Sequence, residues 1–142
     1  MYSPGERFQA ADVYQLLLAF KEMRVRMGRR MAELDLSSGQ EHLLGELWRE
    51  DGLSQRELVA RLGVEQPTVA KTVRRLEADG FVRREPDPAD GRVTRVVLTE
   101  RGLGVRGDVE EMWRRVDEEF GQGLGADERE QLIVLLARSF GR

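Results

Sequence analysis

A pair of short helical patterns separated by a very tight turn limits the folds that this sequence can adopt. The first, LSQRELVARLGV at 53–64, places Ser54 and Glu57 at the spacing of a capping box and ends at Gly63, a residue favoured after helices. Only three residues separate this glycine from Pro67, which suits the first turn of a helix because the missing N–H has no partner there. We therefore predict a helix-turn-helix whose second helix begins at Pro67.

The second helix, PTVAKTVRRLEADG, is predicted to have two chemically different faces. At about 100° per residue, Val69, Val73 and Leu76 fall within about 60° of one another and form an apolar face. The opposite side carries Thr68, Lys71, Arg74 and Arg75. Long basic side chains reach phosphates or guanine edges in a DNA major groove, and short polar ones fit close to bases. This face therefore suits a major groove, and a solvated surface helix is the alternative.

The segment FVRREPDPADGRVTRVVLT is predicted to form a β-hairpin with strands at 81–84 and 92–98. Two prolines in its turn limit the freedom of the unfolded loop, so ordering an exposed hairpin tip costs less. Asp90 precedes Arg92 by two positions and is expected to brace its guanidinium by a charge-assisted hydrogen bond. A helix-turn-helix followed by such a hairpin is a winged helix, whose arginine suits a narrow minor groove. An ordinary hairpin with a solvated arginine is the alternative.

Two helical patterns precede this module. Apolar residues recur at three- and four-residue steps from Ala10 to about Leu34, which predicts a long amphipathic helix. A second helix is predicted within 36–52, opened by a capping box that pairs Ser37 with Gln40 or Ser38 with Glu41. The fold class expected is therefore mainly α with a small β-wing.

Two further helical patterns follow the hairpin. Thr99 is expected to cap a helix that runs to Phe120, with a bend or fraying near its start because Gly102, Gly104 and Gly107 weaken it. A loop at 121–127 and a last helix, DEREQLIVLLARSF, complete the chain.

The last helix has more apolar positions than the exposed tail of a small monomer needs. They are Leu132, Ile133, Val134, Leu135, Leu136 and Phe140. Together with the first helix they are expected to form an obligate homodimer interface, on the order of 2,000 Å² or more. A two-fold axis then sets the second helices of the two helix-turn-helix motifs one DNA turn apart, about 34 Å.

Charge is distributed unevenly along the chain. The net charge is −3, yet residues 54–106 carry 11 basic and 8 acidic groups, whereas acidic groups exceed basic ones at 1–53 and 107–142. A basic middle suits a polyanion.

Other residue types exclude several classes of function. The chain has no cysteine and one histidine, so disulfides, thiol chemistry, a metal site and a cofactor are not expected, and little remains from which an enzyme could assemble an active site. No apolar run reaches the ~20 residues of a membrane span, and no secretion signal is recognisable, so we expect a cytoplasmic protein that does not bind membranes.

The run from LSSGQEHLL to VVLTERG resembles the MarR family of transcriptional regulators over residues 36–102. TVAKTVRRLEADGFVRR and DPADGRVTRVVLT resemble that family's recognition helix and D-x-R wing, although Gly91 replaces an arginine that the family often has. The resemblance implies one MarR-like domain over 1–142, with a DNA-binding lobe at 36–102 and a dimerisation region at 8–35 and 103–142. It also implies a homodimer on double-stranded DNA that binds a palindromic operator and usually represses transcription. Many relatives release DNA when a small aromatic or phenolic ligand binds.

The residues expected at DNA follow from these patterns. Base edges are assigned to Gln66, Thr68, Lys71 and Thr72, phosphates to Arg74 and Arg75, and the wing contact to Arg92 with Arg95. Ser54 and Gln55 open the preceding helix, whose N–H groups suit a phosphate. A small aromatic or organic-acid effector is expected beside Tyr14, His42, Trp48 and Trp113, for which plain packing is the alternative. The rival function is a winged-helix protein-interaction module without direct DNA binding.

Overall fold

The computed structural model describes residues 12–141, which form helices and one small antiparallel sheet. The helices are α1 (Asp12–Ala32), α2 (Ser38–Arg49), α3 (Gln55–Leu62), α4 (Gln66–Ala78), α5 (Glu100–Glu119) and α6 (Ala126–Ser139). The strands are β1 (Leu53–Ser54), β2 (Val82–Pro86) and β3 (Thr94–Leu98). The mainly α class with a β-wing is confirmed, although the predicted helix start at Ala10 lies outside the described residues. The chain divides into two compact units, one ending at Val109 and the other beginning at Glu110.

Capping boxes open α2 and α3, as the sequence predicts. At α2 the box uses Ser37 and Gln40, whose side chain accepts from the Ser37 N–H at 2.9 Å. At α3 the Ser54 hydroxyl accepts from the Glu57 N–H at 3.1 Å, and the Glu57 carboxylate accepts from the Ser54 N–H at 2.7 Å. Gly63 ends α3 with φ of 63°, a left-handed conformation that favours glycine. The turn between α3 and α4 therefore begins at a glycine in the left-handed conformation.

The core of the first unit lies where α2, α3 and α4 contact one another. Val69, Val73 and Leu76 of α4 are buried, which confirms its apolar face. Leu43, Leu44 and Leu47 of α2, with Leu58 of α3 and Phe81, complete this core. Each such side chain contributes about 1.5–3 kcal/mol when it is removed from water. The packing therefore fixes which side of α4 faces outward.

The sheet has the order β1–β3–β2, and both pairings are antiparallel. The hairpin is confirmed with shifted bounds: β2 extends to Pro86, and β3 begins at Thr94 rather than at Arg92 because the Val93 N–H is bonded to the Asp90 carbonyl in the turn. The sequence did not predict β1, which pairs Leu53 with Val96.

The fraying predicted as one possibility for the start of α5 is not observed, because the helix is continuous from Glu100 to Glu119. Gly102 is instead required for packing: a Cβ there would lie 2.1 Å from the Phe81 carbonyl oxygen. Thr99 caps the helix as predicted, since its hydroxyl accepts from the Gly102 N–H at 3.1 Å and donates to the Gly80 carbonyl. The Trp48 indole N–H donates to the Gly102 carbonyl at 2.8 Å. The start of α5 is therefore fastened to the lobe.

The outer helices leave many apolar side chains exposed. On α1, Met27 and Met31 are buried, but Val13, Leu17 and Phe20 are about 60% exposed or more. On α6 the exposed apolar side chains are Ile133, Val134 and Leu135. In the described part of the chain, no helix combines the length and the apolar character needed to traverse a bilayer.

Candidate nucleic-acid interface

The outward face of α4 carries the side chains that the sequence assigned to DNA. Gln66, Thr68 and Lys71 are exposed, and so are Arg74 and Arg75. Thr72 is half-buried, and its hydroxyl donates to the Thr68 carbonyl at 2.9 Å, which leaves its oxygen free only to accept. The structure thus brings these residues to one surface of one helix, backed by the buried Val69, Val73 and Leu76.

The cations on this face differ in their pairing from most other arginines of the lobe. Arg61, Arg83 and Arg84 form ion pairs with Glu50, Glu85 and Glu77. By contrast, no ion pair or hydrogen bond joins the side chains of Lys71, Arg74 or Arg75 to another residue within 12–141. A cation without an internal anion is available to an external one, and here three such cations share a helix face.

The N-terminus of α3, the helix that precedes α4, contains a residue that the sequence interpretation missed. Ser54 is buried and its hydroxyl is used in the capping box, so its side chain is not presented to a ligand. Gln55 is half-buried, whereas Arg56 is exposed and has no ion-pair partner in the described range. Its position in the first turn of a predicted helix was a signal in the sequence, because anions favour such termini.

Arg92 lies at the tip of the hairpin, where its side chain is 91% exposed. Its Nε and Nη2 donate to the two carboxylate oxygens of Asp90 at 3.1 and 3.3 Å, and its backbone N–H donates to Asp90 as well. The Arg92 side chain, followed by its backbone N–H, lowers the pKa of Asp90 below the ordinary aspartate range. The predicted brace between these residues is therefore present, and it holds an arginine in solvent.

Arg95 was expected beside Arg92 at DNA, but its guanidinium is bound by acceptors of the lobe, with 39% of the side chain exposed. Its guanidinium donates to the carboxylate of Asp87 and, at 2.7 Å, to the carbonyl of Gly52. The Ala89 N–H, and then the Arg95 side chain, lower the pKa of Asp87. Two internal acceptors thus occupy a side chain that the sequence had assigned to DNA.

An ion pair between Arg84 and Glu77 joins the wing to α4. The Arg84 guanidinium of β2 donates to both carboxylate oxygens of Glu77 at 2.9–3.2 Å, and the Arg84 backbone N–H donates to the same carboxylate. The Arg84 side chain lowers the pKa of Glu77 below the ordinary glutamate value. This two-pronged arrangement fixes the hairpin relative to the helix with geometric specificity.

The four residues assigned to an effector have different surroundings. Trp48 packs at the start of α5, and His42 is exposed beside a pocket of about 70 Å³ that Thr68 and Thr72 also border. Small-molecule sites usually enclose about 300–1,000 Å³, so this pocket is too small for a ligand of ordinary size. Tyr14 is half-buried on α1, and Trp113 is 43% exposed on the part of α5 that belongs to the second unit. No group of His, Asp and Glu able to hold a metal ion occurs among the described residues.

Comparisons with known proteins agree with this architecture. A sequence model of the MarR family matches residues 36–94. The HTH-type transcriptional regulator TtmR of Methylorubrum extorquens (strain PA1) is 36% identical over 107 residues, which cover 75% of this chain and 54% of TtmR. The chain thus spans about half the length of that curated relative.

Solved structures are similar over a larger share of both chains. The crystal structure of MarR has a TM-score of 0.75 and 30% identity, covering 90% of this chain and 94% of MarR. The crystal structure of the MepR–DNA complex of S. aureus has a TM-score of 0.77 over 92% of this chain and 96% of MepR. At 23% identity, the likeness to MepR concerns the fold alone.

Proposed function

Since this chain belongs to the MarR family, we propose that it is a transcriptional regulator that binds double-stranded DNA as a homodimer. The observation that carries the proposal is the face of α4 with Lys71, Arg74 and Arg75, whose charges have no partner among residues 12–141. The 36% identity to an HTH-type transcriptional regulator supports the same assignment. The proposed site of action is the cytoplasm.

In this proposal α4 enters the major groove, where its short and long side chains have different roles. Gln66, Thr68 and Thr72 approach base edges with short polar groups, whereas Arg74 and Arg75 neutralise phosphates. Lys71 reaches a guanine edge or a phosphate from the middle of the same face. The short polar side chains recognise the base sequence, and Arg74 and Arg75 supply most of the affinity.

Arg92 and the start of α3 add further contacts to those of α4. The exposed guanidinium of Arg92 suits the electronegative minor groove, where it reads the width of the groove rather than a base. Gln55 and Arg56 place a helix N-terminus and a cation toward a phosphate. About 8 phosphates neutralised per dimer give a log–log dependence of affinity on salt with a slope near −7.

The homodimer is supported by the exposed apolar side chains of α1 and α6. A monomer rarely leaves so many large apolar residues in water along two helices, because each costs hydration free energy. A second copy that covers them gives a dimer with two-fold symmetry, and such a dimer matches a palindromic operator. Gel filtration at low micromolar concentration is expected to give a dimer, and a stable monomer would contradict this step.

The regulation we propose is repression, relieved by a small aromatic or organic acid. Such a ligand lowers DNA affinity only by its preference for the dimer form whose α4 helices do not match the groove spacing. A thermal-shift screen of phenols and organic acids tests this, and the hits are then titrated into the protein–DNA complex. Hits that leave DNA affinity unchanged would contradict release by a ligand.

The experiment that tests DNA binding is selection from a random duplex pool, followed by fluorescence anisotropy at several salt concentrations. We expect a palindromic site and a steep salt dependence for the unaltered protein. The double variant Lys71→Ala with Arg74→Ala should bind at least about tenfold more weakly, since it removes two cations that face phosphates or bases in each subunit. The control is Arg49→Ala, because Arg49 is exposed but already paired with Glu46. The DNA affinity of this variant should change little.

The rival function, a protein-interaction module, makes the opposite prediction. It requires no salt-dependent binding to any duplex and assigns no role to the cations of α4. Failure of the selection to enrich any sequence, together with a flat salt titration, would exclude the proposed function.

A further inference from the structure

The wing contains a buried carboxylate where an exposed loop is expected to have none. Asp87 is only 9% exposed, although Pro86 and Pro88 on either side of it are exposed. Its carboxylate accepts from the N–H groups of Ala89 at 2.7 Å and Asp90 at 3.2 Å, and from the Arg95 guanidinium. Acidic side chains are almost never so buried unless they are paired. The turn of the wing is therefore built around this one side chain.

Arg95 connects this carboxylate to the body of the lobe. It lies in β3, opposite Ser54 of β1 and Glu85 of β2, so its side chain starts from the central strand of the sheet. One side of its guanidinium donates to Asp87, and the other donates to the Gly52 carbonyl at 2.7 Å, in the turn that precedes β1. We call Asp87, Arg95 and the Gly52 carbonyl the wing clamp.

The wing clamp is linked to Arg92 by two short steps. Asp87 accepts from the backbone N–H of Asp90, and the carboxylate of Asp90 binds the Arg92 guanidinium through both oxygens. Val93 closes the same turn, because its carbonyl accepts from the Asp87 N–H at 2.8 Å. A displacement of Asp87 therefore displaces the residue that orients Arg92.

From this geometry we propose that Asp87 and Arg95 are positioning residues for the wing contact with DNA. This inference rests on the proposed function, and it assigns the contact itself to Arg92. Arg95 contributes by holding the turn in place, because both sides of its guanidinium already have acceptors inside the protein. The wing clamp fixes the turn that carries Arg92 before DNA binds, so the ordering of the loop is not a cost of binding.

Substitution of Asp87 tests the inference, because a positioning role and a purely electrostatic role predict opposite changes in DNA affinity. A carboxylate near DNA repels phosphate, so Asp87→Asn should strengthen binding if only net charge matters. If the clamp matters, the same substitution weakens binding, because an amide is a poorer acceptor for a guanidinium and two N–H groups. The control is Glu85→Gln, which also removes a wing carboxylate but has no part in the clamp, and which should leave affinity equal or slightly stronger.

The experiment measures affinity for the selected palindrome with the full-length protein and its variants at one salt concentration. Arg92→Ala should weaken binding by about tenfold, which is the size expected when one or two charge-assisted hydrogen bonds to DNA are removed. Arg95→Gln should weaken it by a similar factor, and so should Asp87→Asn. The double variant Arg92→Ala with Arg95→Gln should bind within about twofold of Arg92→Ala alone, because residues that act as a unit are not additive.

A substitution that keeps the charge separates positioning from contact. Arg95→Lys retains a cation but loses the planar fork that spans the Asp87 carboxylate and the Gly52 carbonyl, so it should behave like Arg95→Gln. Two results would overturn the inference. One is that the affinity losses at Arg92 and Arg95 multiply in the double variant, and the other is that Arg95→Lys binds DNA like the unaltered protein.

The unaltered protein and thermal melting of every variant complete the design. If the unaltered protein binds no DNA, the proposed function fails and the inference fails with it. If it binds DNA but the two losses multiply, the inference alone fails. Should Arg95→Gln unfold, the opposite signs expected for Asp87→Asn and Glu85→Gln decide the question by themselves.

Discussion

At the residue scale, Gly102 is where packing and helix propensity make opposite demands. Replacing it with alanine improves the helix propensity of α5 but places a Cβ 2.1 Å from the Phe81 carbonyl oxygen. The atom that it meets is backbone, fixed by the Thr99 N–H that donates to the same oxygen at 3.1 Å. We expect Gly102→Ala to lower the free energy of unfolding by about 1–3 kcal/mol, measured by urea denaturation.

Gly104 provides the matched control for this substitution. It lies in the same helix, and nothing stands within 4 Å of a Cβ built on it. Gly104→Ala should therefore raise the free energy of unfolding by up to about 1 kcal/mol. Equal effects at the two positions would contradict the packing explanation. The sequence alone predicted that both glycines weaken the helix, because the carbonyl that excludes a side chain belongs to Phe81, which is 21 positions earlier.

Arg56 gives a second prediction for a single residue. Its candidacy for DNA contact came from its exposure and its lack of an ion-pair partner in the described range. We expect Arg56→Ala to weaken binding to every duplex by a similar factor and to reduce the steepness of the salt dependence by about one for each phosphate that is no longer neutralised. Arg61 is the control in the same helix, because its charge is offset by Glu50 and Glu46. An Arg61→Ala variant that loses as much affinity as Arg56→Ala would show that net charge, not position, is being measured.

At the scale of elements, the pair of Glu77 and Arg84 joins α4 to the wing, and its strength should depend on pH. The pKa of Glu77 in the folded protein lies below the ordinary 4.5, with the Arg84 hydrogen bonds as the largest cause. A group with a lowered folded pKa contributes stability above its unfolded pKa and loses it as pH falls through the folded value. The contribution should therefore be complete at neutral pH and vanish well below pH 4.5.

The measurement compares melting temperatures of the unaltered protein and Glu77→Gln from pH 7 down to pH 3. The variant should melt a few degrees lower at pH 7, because a partly exposed pair is worth at most about 1 kcal/mol. The two curves should converge as the pH falls below the ordinary glutamate value. A constant difference over the whole range would mean that packing of the side chain, not its charge, stabilises the tie.

The elements also show what the sequence could predict and what it could not. Local signals were sufficient for α2, α3 and α4, because capping boxes, Gly63 and the apolar spacing act within one helix. They failed for β1, since two residues have no periodicity and Leu53 becomes a strand only by pairing with Val96. The outward face of α4 was predicted for the same local reason. The pairing of Arg95 could not be predicted, because it depends on Asp87 and Gly52, which only the folded chain brings to it.

At the scale of the whole molecule, the proposal requires two lobes that bind one duplex at a fixed separation. The α1 and α6 side chains left in water are the reason to expect a second copy, and two-fold symmetry is the reason to expect inverted half-sites. Binding by the second lobe is then intramolecular, which raises affinity by about 10²–10⁴ over a single lobe. That gain exists only if both half-sites face the protein together.

Changing the spacing of the half-sites tests this geometry without altering the protein. Inserting 5 bp turns one half-site by about half a helical turn and moves it about 17 Å, so the second lobe meets the wrong face of the duplex. Inserting 10 bp returns the half-site to the same face of the duplex but doubles the separation of about 34 Å. A dimer with fixed lobes cannot span the doubled distance either. Both insertions should therefore reduce affinity toward that of an isolated half-site, by about 10²-fold or more, in anisotropy titrations against the selected palindrome. Equal affinity for all three duplexes would mean that the lobes bind independently, and recovery with 10 bp alone would mean that the linkage between them stretches.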